Sequence, residues 1–117
     1  MIVSTEDQEI ANISKELGAE IPFLRPKILA TDNSLQIDAI KHAVNFVEAE
    51  GEFYDIVVIL QPTTPIRKTE DIDGSLELLI NSGADSVISV CDVGGKHPST
   101  LYLTDSSKKI SPYIYSY

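Results

Sequence analysis

Four of the nine Lys and Arg residues in this 117-residue chain fall in two short polar stretches. Arg25 and Lys27 lie in "RPKILATDNS", and Arg67 and Lys68 lie in "QPTTPIRK". Cations gathered in this way, in a chain whose formal charge is −9, suit a small phosphorylated ligand that needs a local positive site. The second stretch adds Gln61, Thr63 and Thr64, an amide and two hydroxyls that can both donate and accept hydrogen bonds. Pro62 and Pro65 bracket the threonines, and two readings of them stand side by side. Prolines end a buried strand and stiffen the turn after it. They also hold polar groups in one shape, which lowers the entropy cost of binding a polar ligand.

Other reactive side chains offer less. Gly94, Gly95 and Lys96 in "CDVGGKHPST" could form a phosphate-cradling nest. No glycine-rich fingerprint leading into a helix accompanies them, so a reversal into the candidate strand "STLYLT" accounts for the glycines with less assumption. His97 in the same loop reads as a surface residue, and His42 as part of the polar side of a helix. Two histidines so far apart give no metal-ligand spacing. The single cysteine, Cys91, ends the apolar run "DSVISVC" and is expected to be a buried, inert thiol. One cysteine also excludes an internal disulfide framework.

The acidic balance argues against a nucleic acid or an anionic membrane as partner, because both are bound through basic surface. No apolar run approaches the roughly 18 residues that span a bilayer, and no signal-peptide pattern opens the chain, so a cytoplasmic location is the default. A hydrophobic fraction of 43% with 23% charged residues fits a globular protein with one modest core.

These loops must be positioned by the elements around them. "MIVS", "EIPFL", "YDIVVIL" and "ADSVISV" are short β-rich runs, and the segments between them repeat apolar residues at helical spacing. The predicted stripes are Ile10, Ile13 and Leu17; then Ile37, Ile40, Val44 and Val47; then Ile72, Leu76, Leu79 and Ile80. Thr5 with Gln8 fits a capping box, Ser34 is placed to cap the second helix, and Glu70 and Asp71 after Thr69 suit a positive helix start. Gly18, Gly51 and Gly83 fall where helices end. Strand and helix alternate, which predicts an α/β fold: a doubly wound, mostly parallel sheet with helices on both faces, "IVVIL" being a central strand. Ligands of such sheets bind beyond the carboxyl ends of the strands, where "STED", "RPKILATDNS" and "QPTTPIRK" all fall.

The strings "VSTED", "PFLRPKILATDNS" and "LQPTTPIRKTEDID", in this order and separated by helices, resemble the acylneuraminate cytidylyltransferase family, the CMP-sialic acid synthetases and related CMP-nonulosonic acid synthetases. The resemblance extends to about "SVCDV". It implies a nucleotide-diphospho-sugar transferase fold and a transfer of CMP from CTP to a nonulosonic sugar acid, with release of pyrophosphate. It assigns Arg25, Asp32, Asn33, Ser34 and Gln36 to the nucleotide, and Gln61, Thr63, Thr64 and Arg67 to the sugar acid. It also implies magnesium as cofactor and a homodimeric full-length protein.

Two departures from the family pattern qualify these expectations. Family members carry a hydroxyl-rich run after the aspartate, where this chain has "DNSLQI" with Leu35 and Gln36. They also begin with a strand and a basic, glycine-containing loop that grips the triphosphate, which "MIVSTED" lacks. Residues 1–117 are therefore expected to be a single, partial nucleotidyltransferase domain, without the first strand, the C-terminal part or the magnesium ligands. Alone, such a piece is expected to be inactive and either marginally stable or aggregation-prone, because unpaired edges and apolar surface would be exposed. The alternatives are a catalytically incomplete nucleotide-binding or oligomerisation domain of the same fold, and another sugar nucleotidyltransferase. A receiver-type regulatory domain fits less well, since Gln61 and Pro62 stand where its acceptor aspartate would end the central strand.

Overall fold

The computed structural model describes residues 1–92 and 101–113. They divide into two compact units, Met1–Ile59 and Leu60–Tyr117. In the first unit the helices are α1 (Gln8–Glu16) and α2 (Gln36–Ala49), with a 3-10 turn at Lys27–Leu29 between them. The second unit holds helix α3 (Thr69–Ser82) and a hairpin of strands β1 (Tyr102–Thr104) and β2 (Ile110–Pro112).

In the first unit the chain enters α1 through a different cap from the one expected. Asp7 is the N-cap, and its Oδ1 accepts from the backbone N–H groups of Glu9 at 2.8 Å and Ile10 at 2.9 Å. A carboxylate at this point satisfies two orphan donors and also meets the positive end of the helix. Thr5 sits two residues earlier: it is buried, and its Oγ1 accepts from the Asp7 N–H at 3.2 Å. Gly18 then follows the last turn with φ +89°, Gly51 follows α2 with φ +91°, and Gly83 closes α3 with φ +63°. Only glycine adopts this left-handed backbone without a Cβ penalty, so all three predicted helix ends are borne out.

The helical stripes are borne out unevenly. Ile72, Leu76 and Leu79 of α3 are half-buried, whereas Ile80 is exposed. On α2, Val47 is buried and Ile40 and Val44 are half-buried, but Ile37 is exposed. On α1 the buried residue is Ala11, at 3% exposure, while Ile10, Ile13 and Leu17 are exposed. His42 does not mark a polar side of α2. It packs edge-on against Phe23 with ring centroids 4.7 Å apart, Phe46 lies 4.9 Å from the same ring, and Nδ1 of His42 is enclosed without a hydrogen-bond partner. The i, i+4 spacing of His42 and Phe46 puts both rings where "EIPFL" delivers Phe23.

Parallel pairing appears at one place among the described residues, a bridge between Ile2 and Glu20. Val3 N–H donates to the Glu20 carbonyl at 3.0 Å, and Glu20 N–H donates to the Met1 carbonyl at 2.9 Å. The runs at residues 54–60 and 84–90 form no ladder among the described residues. A strand is stable only when a neighbour takes up its N–H and C=O groups, so the apolar sequence of "DIVVIL" does not by itself make one. Ile56 to Leu60 are 36% to 52% exposed on both alternating faces. Cys91, expected to be buried, is exposed for the same reason: no strand covers its run among the described residues.

The hairpin in the second unit is antiparallel, with Tyr102 opposite Pro112, Leu103 opposite Ser111 and Thr104 opposite Ile110. Backbone bonds join Tyr113 to Leu101 at 2.9 Å and Asp105 to Lys109 at 3.0 Å. Pro112 therefore falls at a position between bonded pairs, where a missing N–H costs the ladder nothing. This hairpin contains the predicted strand "STLYLT" from Tyr102 onward. Gly94, Gly95, Lys96 and His97 lie outside the described residues.

Candidate functional site

In the first unit, the parallel bridge sets the ends of two runs side by side, and both continue into loops that the sequence points to as ligand-binding. After Ile2 and Val3 comes the loop through Ser4 and Thr5; after Glu20 the chain runs through Phe23 to Arg25. Arg25 N–H donates to the Thr5 carbonyl at 2.8 Å, and its Nε donates to Ser4 Oγ at 3.0 Å. Its Nη2 also donates to the Ser4 carbonyl. Arg25 is half-buried, so these bonds fasten the "VSTED" loop to the "RPKILATDNS" loop in a partly water-free setting. Among the described residues no carboxylate forms an ion pair with Arg25; the ion pair in this region joins the N-terminal amine of Met1 to Glu20 at 3.2 Å.

The remainder of the loop is closed locally. Pro26, with φ −56°, leads into the 3-10 turn, where Leu29 N–H donates to the Pro26 carbonyl at 2.8 Å. Ser34 does not cap α2. Its Oγ donates to the Ile28 carbonyl at 2.9 Å and accepts from the Thr31 N–H at 3.0 Å, with Thr31 Oγ1 2.8 Å away. The hydroxyl is held by the loop, and α2 begins two residues later, at Gln36. Leu35 occupies the N-cap position and supplies no side-chain bond. Asp32 and Asn33 form the two central positions of a turn closed by Ser34 N–H to the Thr31 carbonyl at 2.9 Å, and both are exposed. Gln36 is the first residue of α2. The five residues assigned to a nucleotide thus lie on one loop and the helix start that follows it, with Arg25 anchored at its base.

In the second unit, the Gln61 carbonyl organises the "QPTTPIR" turn. It accepts from the Thr64 N–H at 3.2 Å and from Arg67 Nη2 at 2.6 Å. Thr63 lies inside that turn, and Gln61, Thr63, Thr64 and Arg67 are all exposed. Arg67 therefore closes the turn with at least one of its five N–H donors. The sequence motif pointed to Gln61 as a side chain; it is the carbonyl, invisible to residue type, that gathers Thr64 and Arg67. Ser4 is the residue that sequence reasoning missed. Its one available signal was its place in the "VST" string, directly after the first β-rich run.

Among the described residues, no group of three or more His, Cys, Asp or Glu side chains could hold a metal ion. No helix among them is long and apolar enough to cross a membrane.

No family model matches the sequence. Curated proteins do, and they bear out the resemblance carried by the motifs. The chain is 37% identical over 106 residues to the CMP-N,N'-diacetyllegionaminic acid synthase of Legionella pneumophila, a match covering 91% of this chain and 45% of that protein. It is 32% identical over 108 residues to the N-acylneuraminate cytidylyltransferase of Streptococcus agalactiae, covering 92% of this chain and 24% of that protein. It is 22% identical over 108 residues to the pseudaminic acid cytidylyltransferase of Campylobacter jejuni, covering 92% of this chain and 47% of that protein. The chain thus spans less than half the length of these relatives.

Proposed function

We propose that this chain is part of a cytidylyltransferase of the CMP-nonulosonic acid synthetase family, and that the full-length protein transfers CMP from CTP to a nonulosonic sugar acid with release of pyrophosphate. The observation that carries this reading is the 37% identity to a legionaminic acid synthase across 91% of the chain. The arrangement of the first unit supports it. Two loops, at Ser4–Thr5 and at 25–34, leave neighbouring ends of a parallel pair, the place where open α/β sheets of the nucleotidyltransferase kind take their ligands.

In this reading Arg25 and the 32–36 segment meet the cytidine nucleotide, while Gln61, Thr63, Thr64 and Arg67 meet the sugar acid. The anomeric hydroxyl of the acid attacks the α-phosphorus of CTP, a P–O bond forms, and the bond to the departing pyrophosphate breaks. Such chemistry asks the protein chiefly to position reactants and to offset charge. Magnesium is assigned to the full-length protein, where it would offset phosphate charge. Its ligands are proposed to lie outside this chain, and no step here passes through it. The 117 residues alone are then a binding portion without turnover. The intact protein is proposed to be a cytoplasmic homodimer.

Titration of the full-length gene product with CTP, UTP and ATP in the presence of magnesium tests the nucleotide half of this reading. CTP is expected to bind at least tenfold more tightly than the other two, a gap of about 1.4 kcal/mol. Equal affinity for all three would remove the cytidylyltransferase assignment.

A further inference from the structure

We propose that Ser4 is a positioning residue for Arg25, fixing the plane of its guanidinium so that one edge is presented to the nucleotide. The inference rests on the assignment of Arg25 to the nucleotide.

A guanidinium carries five N–H donors in a rigid planar fork. Ser4 takes two of them with two different atoms: Oγ accepts from Nε at 3.0 Å, and the backbone carbonyl accepts from Nη2. Those donors make up the side-on edge of the group. Two points of attachment on one edge fix both the plane and the direction of the adjacent, end-on edge, formed by Nη1 and the second N–H of Nη2. The base of the side chain is fixed as well, because Arg25 N–H is held by the Thr5 carbonyl at 2.8 Å.

The end-on edge is the geometry that grips a phosphate or a base carbonyl through two parallel bonds. Among the described residues no carboxylate pairs with Arg25, so its charge is not cancelled within the first unit. A half-buried cation, oriented by neutral oxygens alone, keeps its attraction for an electron-rich ligand.

The test uses the full-length protein and CTP as the probe, with dissociation constants from calorimetry and thermal stability recorded beside them. S4A removes the Nε acceptor and leaves the carbonyl contact, so CTP binding should weaken about three- to tenfold. S4T, which restores a hydroxyl, should recover most of the affinity, while its near-isostere S4V should not. In an R25A background S4A should add nothing, because the group it orients is gone.

If R25A weakens CTP binding and neither S4A nor S4V does, Ser4 is not a positioning residue and the role of Arg25 stands. If S4A and S4V lower thermal stability equally with unchanged CTP affinity, the contact is structural and the proposal fails. If R25A leaves CTP affinity unchanged, both residues lose their role while the synthetase reading stands. A wild-type protein that binds no CTP would overturn that reading, and this inference with it.

Discussion

Arg25 and Ser4 are joined at two atoms of each residue, Nε to Oγ at 3.0 Å and Nη2 to the carbonyl, so that a single guanidinium ties together the two loops of the first unit that the motifs single out. A lysine could reach one of these oxygens but could not hold both in one plane. Arg25→Lys in the full-length protein is therefore expected to weaken CTP binding by about tenfold or more, by calorimetry, although the charge is kept. Unchanged affinity would mean that a point charge is sufficient.

The turn at Gln61 gives a second pair of expectations, for the sugar acid. Arg67 Nη2 reaches the Gln61 carbonyl at 2.6 Å, so Arg67→Ala should loosen the turn that carries Thr63 and Thr64. The KM for the sugar acid is predicted to rise about tenfold in this variant, and also in Gln61→Ala, which keeps the carbonyl but removes the amide assigned to the acid, with CTP affinity changed less than twofold. A rise in both parameters alike would place the turn in general folding of the second unit.

Local stability in the first unit can be checked at Asp7. Its carboxylate serves two N–H groups at the start of α1, and Asp7→Ala should cost the full-length protein about 1 kcal/mol in chemical denaturation. Thr5, whose hydroxyl bonds the Asp7 N–H instead of the helix, should not reproduce that loss through helix capping alone.

The hairpin carries a pH dependence. Asp105 Oδ1 accepts from Ser107 Oγ at 2.7 Å, Ser107 N–H at 2.8 Å and Lys109 N–H at 3.0 Å. Bonding from the Ser107 side chain, followed by the Lys109 backbone, holds the Asp105 carboxyl below its usual range. A carboxylate lowered in the folded state contributes stability above its unfolded value and loses it as pH falls through the folded one. Amide exchange at Ser107 and Lys109 should thus be steady at neutral pH and, after correction for intrinsic rates, lose protection in acid below the ordinary carboxylate range. Asp105→Asn should shift that loss out of the titration.

Helices and their ends were legible because their signals are local. Gly18, Gly51 and Gly83 declare left-handed backbone by residue type, and α3 follows its apolar spacing at Ile72, Leu76 and Leu79. Partners remote in sequence were not legible. "DIVVIL" has the composition of a central strand, but strand pairing depends on neighbours that periodicity does not name. The caps show the same limit at short range: Thr5 and Ser34 are good capping types, yet Asp7 stands nearer one helix start, and Ile28 and Thr31 compete for the Ser34 hydroxyl. At the candidate site, residue types pointed to Arg25 and Gln61. The backbone carbonyls of Ser4 and Gln61, which orient Arg25 and Arg67, carry no residue signature.

Pyrophosphate release by the full-length protein, followed with CTP, magnesium and a panel of legionaminic, pseudaminic and N-acylneuraminic acids, tests the cytidylyltransferase assignment itself. Release is expected to require both CTP and one of these acids, with a CMP-linked sugar as the second product. No release with any acid, or release from CTP alone at the same rate, would contradict it.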